Sequence, residues 1–349
     1  MALRRYLLSP DLNWYRANLH CHSTLSDGYW PPARLKTEYK KAGYSVLAIS
    51  DHNVLVDHSD LNDPDFLTLT SVEYDITDWD SHLPTGSEDA NPWNGRFHNT
   101  FHLNLFSKVP NPSGLPARDT IWGFQHKCFD GTPEEAEAKK TYSLDAVNEV
   151  IRKANEAGFF VQYNHPNWSR NVREDWLALR GLWSLEILNF ATEQLTGGEY
   201  CPYIYDDLLN HVNPRLFCSM GDDNHNRDGS TLASFGGSTF FGAKELTYEA
   251  IIASMEKGDF YCSSGRENPP RINALYVEDG VVHVECSPAS NIFLVGDGRR
   301  YAVKRGDGIT KAEFPIIKDD GWFRIAVRDH LGNTAHTHAY MVSEVADNR

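Results

Sequence analysis

The chain has 349 residues, enough for one large domain and a small second one at roughly 100–200 residues per domain. Lys and Arg number 33 against 48 Asp and Glu, a formal net charge of −15, which argues against non-specific binding of long nucleic acids, a function that rests on clustered cations. Hydrophobic residues at 41% and aromatic ones at 12% exclude a disordered chain, and no run approaches the roughly 18–20 apolar residues of a membrane span. Near the start, Tyr6 to Leu8 is too short to serve as the apolar centre of a signal peptide. The six cysteines contain no CxxC and read as reduced thiols, so a cytoplasmic location is expected.

In chain order, apolar or β-branched runs alternate with amphipathic segments, the rhythm of βα units. Strands are predicted at residues 17–20, 45–50, 66–73, 101–106, 159–164, 184–189 and 216–220. Pro31-Pro32 opens a helix that Gly43 ends, and Ser143 caps another with an apolar stripe of Leu144, Val147, Val150, Ile151 and Ala154, ended by Gly158. A third helix spans 247–257 and stops at Gly258. Two long stretches, 75–100 and 107–141, break the rhythm and read as ordered flaps over an active site. From Arg271 the texture changes to alternating strands with turn pairs such as Asp279-Gly280 and Asp307-Gly308. The expected division is a barrel over 1–268 with insertions at 75–100 and 107–141, and a small antiparallel β-sandwich over 269–349.

The metal-capable residues fall at or just after the ends of the predicted strands: His20, His22 and Asp27, then Asp51-His52, Glu73, His102, His165, and Asp223 with His225. In a parallel βα barrel those ends converge on one face. In His20-Cys21-His22 the i, i+2 spacing puts both imidazoles on one side of an extended segment. One tetrahedral zinc takes at most four ligands. The set His20, His22, Asp27, His52, Glu73, His102, His165, Asp223 and His225, all nitrogen and oxygen donors, suits two or three ions such as Zn, Mn or Fe. The other histidines, His58, His82, His98, His126, His211, His283, His330, His336 and His338, read as loop, helix-face or strand residues, and the cysteines as packing. Trp79, Trp93, Trp122 and Trp168 are candidate pocket walls.

The signature His20-Cys-His-Ser-Thr-Leu-Ser-Asp-Gly28, followed by a helix and then Ile-Ser-Asp-His-Asn53, resembles the opening of the PHP (polymerase and histidinol phosphatase) superfamily. Glu73, His102, the Asn164-His165-Pro166 turn and Asp223-Asn224-His225 follow in the family's order. The resemblance covers residues 14 to about 265. More loosely, the tail, with a turn at Tyr261-Cys-Ser-Ser-Gly265 and Arg328-Asp-His-Leu-Gly332, is similar to the β appendage of the CehA/McbA-like branch. The resemblance implies an α/β fold, a distorted (β/α)7 barrel. It also implies one metal on His20, His22, Glu73 and Asp223, a second on Glu73, His102 and His165, and a third on Asp27, His52 and His225, with Asp51 beside them. Many relatives carry a histidine where this chain has Asp27.

The expected activity is metal-dependent hydrolysis of a small phosphate ester, with no serine or cysteine nucleophile required. Leaving-group protonation falls to a metal-bound water or to a neighbour such as His225 or Asp27. Arg170, Arg227 and Arg266, with Arg96 and Lys127, are candidate clamps for a phosphate. Two alternatives stand beside it. One is hydrolysis of a carbamate, ester or amide by the same ions. The other is a non-catalytic metal-binding module whose β domain binds a partner or glycan.

Overall fold

The computed structural model describes residues 4–77, 100–117 and 143–345. A short strand, Arg5–Leu8 (β1), precedes the strands that carry the site. Asn13–Asn18 (β2), Val46–Ile49 (β3) and Leu67–Thr77 (β4) lie parallel, and Thr100–Ser107 (β5) joins β4 antiparallel. Phe159–Tyr163 (β6) is antiparallel to β5, whereas Ser184–Asn189 (β7) and Phe217–Gly221 (β8) follow parallel to it. The last of these seven strands returns to the first. The N–H of Asp223 donates to the His20 carbonyl at 2.8 Å, the N–H of His22 donates to the Asn224 carbonyl at 3.2 Å, and Cys21 bridges Asn224 in parallel.

The uniformly parallel arrangement expected from the βα rhythm fails at β5. It pairs with β4 from Ser71↔Phe106 to Thr77↔Thr100, an antiparallel ladder that needs no crossover helix. His102 therefore sits at the start of its strand, and Glu73 midway along β4, rather than at the C-terminal ends. An antiparallel strand presents its N-terminal end on the face where its neighbours present their C-terminal ends, so His102 still reaches the shared face.

The helices Pro32–Lys41 (α1), Leu144–Glu156 (α2), Arg173–Ala178 (α3), Phe190–Thr196 (α4) and Pro202–His211 (α5) connect these strands. In α2 the Ser143 hydroxyl accepts the Ala146 N–H, and Val147, Val150, Ile151 and Ala154 are buried in the main core with residues of β4 to β8. The short helices α3 and α4 were not foreseen, since one or two turns carry too little periodicity to read, and neither was the longer, Pro202-initiated α5.

Gly237–Ala243 (β9) is antiparallel both to β2 and to Phe260–Ser264 (β10), with Tyr248–Lys257 (α6) between them. The turn expected at 261–265 is thus a strand. β10 passes the sheet on to Thr334–Thr337 (β15). Beyond it lie Ile272–Glu278 (β11), Val281–Gly296 (β12), Tyr301–Pro315 (β13), Trp322–Arg328 (β14), Tyr340–Met341 (β16) and the single turn Val342–Val345 (α7). β12 pairs β11 through its first half and β14 through its second, with β13 alongside and irregularities flanking Ala289. Asp307-Gly308, expected as a turn between strands, lies inside β13 opposite that irregularity, and Gly308 takes φ +63° there. β1 pairs β11, so the strands after residue 269 also recruit the chain's start, which had been expected to belong with the barrel. Their core joins Leu8, Ile292, Phe314 and Ile325 to Phe240 of β9 and Tyr261 of β10. No helix among the described residues is long and apolar enough to cross a membrane.

Candidate metal centre

Strand ends and one turn deliver the donors. His20 and His22 follow β2, His52 follows β3, His165 follows β6, and Asp223 and His225 follow β8. The backbone is left-handed at His165 (φ 25°) and Asp223 (φ 54°), turning the chain sharply where each side chain enters the site. Asp27 arrives on the turn 23–28, which the Asp51 carboxylate holds by accepting from Ser23 N–H (2.7 Å), Ser23 Oγ (2.6 Å) and Ser26 Oγ (2.6 Å). Asp51, expected beside the third ion, spends its described hydrogen bonds on this turn.

Glu73 is the centre of the arrangement. Its Oε1 lies 3.2 Å from His20 Nε2, 3.1 Å from His102 Nδ1 and 3.4 Å from His165 Nε2, and its Oε2 lies 3.1 Å from His22 Nε2 and 3.4 Å from His52 Nδ1. Asp223 Oδ1 approaches His22 Nε2 at 2.9 Å and His20 Nε2 at 3.3 Å. On the more open side, Asp27 Oδ2 lies 3.1 Å from His225 Nε2 and 3.9 Å from His52 Nε2. His22 stacks between His52 and His225 at ring separations of 4.5 and 4.3 Å.

Among the described residues three sets have ligand atoms close enough to share an ion: His20, His22, Glu73 and Asp223; His22, Asp27, His52 and His225; and His52, Glu73 and His102. The first is the set implied by the resemblance. The third takes His52 where His165 was expected, and His165 approaches Glu73 from outside it.

The electrostatics call for positive charge. Burial tends to raise the Glu73 carboxyl, yet His20, His52 and His102 outweigh it and hold its pKa well below the usual carboxylate range. Asp223 and Asp27 are likewise lowered against burial, the former by His20 and His22 and the latter by His225 and His52. Burial works against charge on His20 and His22, but neighbouring carboxylates raise both pKa values well above the ordinary value. Burial lowers His52 and His102. His20 Nε2, both ring nitrogens of His22 and Glu73 Oε2 are buried without a well-formed hydrogen bond among the described residues. Buried polar atoms are rarely left so, and nitrogen lone pairs facing two carboxylates are the donor set a divalent cation takes. The residues fit metal ions.

Cys21 points away from this set, and burial and Asp51 push its thiol pKa well up, which removes it as a nucleophile. Of the candidate clamps, Arg266 donates to the Thr231 and Leu232 carbonyls and lies 5.3 Å from the Phe190 ring, so the described contacts tie it to a loop. Arg227 lies 5.9 Å from the Tyr29 ring, and Arg170 is exposed with φ 59°. Arg96, Lys127, Trp79, Trp93 and Trp122 lie outside the described residues, as do most of the two expected flaps. Trp168 stands edge-on to His102 and His165 at 5.2 and 4.9 Å and is partly exposed.

Several carboxylates around the site were missed from the sequence. Glu186 meets His20 Nδ1 at 3.0 Å. Asp222 accepts from the N–H groups of Phe235, Gly236 and Gly237 and from the Tyr39 hydroxyl. Glu199 accepts from the N–H groups of Asn167 and Trp168. A lone carboxylate inside an apolar strand, as in Ser184-Leu-Glu-Ile-Leu-Asn189, is the signal that identifies Glu186, since burying one demands a partner.

No known protein family and no curated protein matches the chain. Among solved structures it is similar to a two-domain Bacteroides vulgatus protein containing a predicted PHP-like metal-dependent phosphoesterase, at 14% identity and TM-score 0.45, over 93% of this chain and 92% of that one. It is also similar to a candidate metal-dependent phosphoesterase from Bifidobacterium adolescentis, at 17% identity and TM-score 0.38, over 60% of this chain and 87% of that one. An amidohydrolase from Chromobacterium violaceum, with bound sulfate and no metal, is similar at 14% identity and TM-score 0.35, over 60% and 87% of the two chains.

Proposed function

We propose that the chain is a metal-dependent hydrolase that holds two or three divalent ions, Zn, Mn or Fe, and cleaves a small phosphate ester. The observation that carries this reading is the pair of Nε2 atoms of His20 and His22, buried without a well-formed hydrogen bond and facing Glu73 and Asp223. On this reading residues 1–268 form a distorted (β/α)7 barrel of the PHP type and 269–349 a β-sandwich appendage. The seven strands β2 to β8, with the last brought against the first, support it.

Bound divalent ions supply hydroxide near neutral pH and neutralise charge on the ester's oxygens. The chain's own residues do the rest. His20, His22, Glu73 and Asp223 would hold one ion, Glu73, His102 and His165 a second, and Asp27, His52 and His225 a third. With two ions bound and the third position open, His225, on the more open side and 3.1 Å from the Asp27 carboxylate, would pass a proton to the leaving group, with Asp27 orienting its ring. Arg227 and Arg170, whose guanidinium groups have no described carboxylate partner, would orient the anion at the rim.

Mn-reconstituted protein should release phosphate or aryl alcohol from a panel of nucleotides, sugar phosphates and aryl phosphodiesters, and a chelator should abolish the release. A blank panel with metal shown to be bound would overturn the phosphoesterase reading. It would favour a second one, hydrolysis of an aryl carbamate, ester or amide, which the partly exposed Trp168 beside His102 and His165 supports.

A further inference from the structure

We infer that Glu186 is the positioning residue that makes His20 a ligand, holding its Nδ1 so that Nε2 faces Glu73 and Asp223. Glu186 lies on β7 and is fully buried. Its Oε1 is 3.0 Å from His20 Nδ1. Its Oε2 accepts from the His165 N–H at 3.3 Å and from Asn189 Nδ2 at 3.0 Å. The same Asn189 amide also donates to Asp223 Oδ2 at 3.1 Å. One carboxylate thus reaches three members of the cluster: the ring of His20, the backbone of His165 and, through Asn189, the carboxylate of Asp223.

A buried carboxylate facing donors on two sides requires His20 Nδ1 to carry the proton, which leaves Nε2 with its lone pair. That lone pair points at the centre, where Nε2 lies 3.2 Å from Glu73 and 3.3 Å from Asp223. A carboxylate behind a ligating imidazole fixes its tautomer and ring orientation and raises its basicity. Space for the contact is made on β8, because a Cβ at Gly221 would lie 2.7 Å from Glu186 Oε1 and 2.8 Å from the His20 Cβ. This inference rests on the metal reading above and adds a residue to it.

The test uses Zn, which gives sharp NMR signals, and two variants. In Glu186→Gln a single amide oxygen cannot serve His20, His165 and Asn189 together. Wherever the NH2 group faces His20 it selects the tautomer with Nε2 protonated. Competition with a chromophoric chelator should show Zn binding to the full chain weakened roughly 10–100-fold in Glu186→Gln. Gly221→Ala, which leaves every donor in place but crowds the carboxylate, should weaken it in the same direction. The imidazole nitrogen spectrum of the Zn-loaded wild type should show His20, assigned by its loss in His20→Gln, protonated at Nδ1. Wild-type affinity in Glu186→Gln, or a wild-type His20 protonated at Nε2, would overturn the inference. A wild type that binds no Zn, Mn or Fe would overturn the metal reading beneath it. The tautomer needs no substitution at Glu186, so the inference remains testable if Glu186→Gln does not fold.

Discussion

Glu199 shows how one side chain can steer the site without joining it. Its carboxylate accepts from the Asn167 N–H at 3.2 Å and the Trp168 N–H at 2.6 Å, closing the turn that carries His165 and Trp168. Burial pushes its pKa up from the ordinary 4.5 to about 7. A carboxyl with a raised folded value binds its proton more tightly in the folded state. Its contribution to stability is therefore present below the unfolded value and lost as pH climbs through the folded one. From pH 4.5 to pH 8 the wild type should lose up to about 3 kcal/mol relative to Glu199→Gln, measured by urea unfolding of both proteins. A difference that stays flat with pH would contradict this.

At this scale the candidate donors were legible because imidazoles and carboxylates recur beside strand ends or, as Glu73 does, within a strand, where residue type alone suggests the chemistry. Glu186, Asp222 and Glu199 were not. Each is a single carboxylate in a segment of ordinary composition, and its partners, such as His20 for Glu186 and Phe235 to Gly237 for Asp222, are far away in sequence. Asp51 was legible as important but not in its role. Only the fold brings it onto Ser23 and Ser26, so that it shapes the turn carrying Asp27.

Elements with strong local signals were read from the sequence. In α2, cap, stripe and terminator agree, and the helix packs Ile151 into the core behind β6, the strand that leads to His165. Ser143→Ala should cost about 1 kcal/mol of stability and Ile151→Ala about 2–5 kcal/mol, both measured by urea unfolding. Neither should change the number of ions bound per chain, because neither side chain belongs to the cluster. Equal and negligible losses would contradict the packing described. The orientation of β5 was not legible, since hydrophobic pattern fixes which face of a strand is buried but says nothing of its direction. β13 was hidden for another reason, since its mostly exposed residues show little buried alternation.

Over the whole molecule, the two chain ends share one sheet. β1 pairs β11, β15 pairs β10, and β10 leads through β9 to β2, which runs into His20 and His22. Arg324 of β14 reinforces the union with a partly buried bidentate contact to Asp206 of α5, at 2.7 and 2.8 Å. It also meets His336 Nδ1 at 3.1 Å. Such long-range pairings carry no signature in a single sequence, which is why neither β1 nor its pairing with β11 was foreseen. The ordering of the candidate donors along the chain survived because successive strands, β4 and the antiparallel β5 included, each bring their own donor to a common face.

The central claim is that these donors form a multinuclear metal site, and the most direct measurement is the ion count per chain after Mn reconstitution. It should be made on the wild type and on His20→Ala/Glu73→Ala, each checked for folding by thermal unfolding. The account predicts two or more ions in the wild type, fewer in the double variant, and a lower unfolding temperature for the wild type once a chelator removes them. A folded wild type that holds no ion, or a double variant that binds as many, would contradict it.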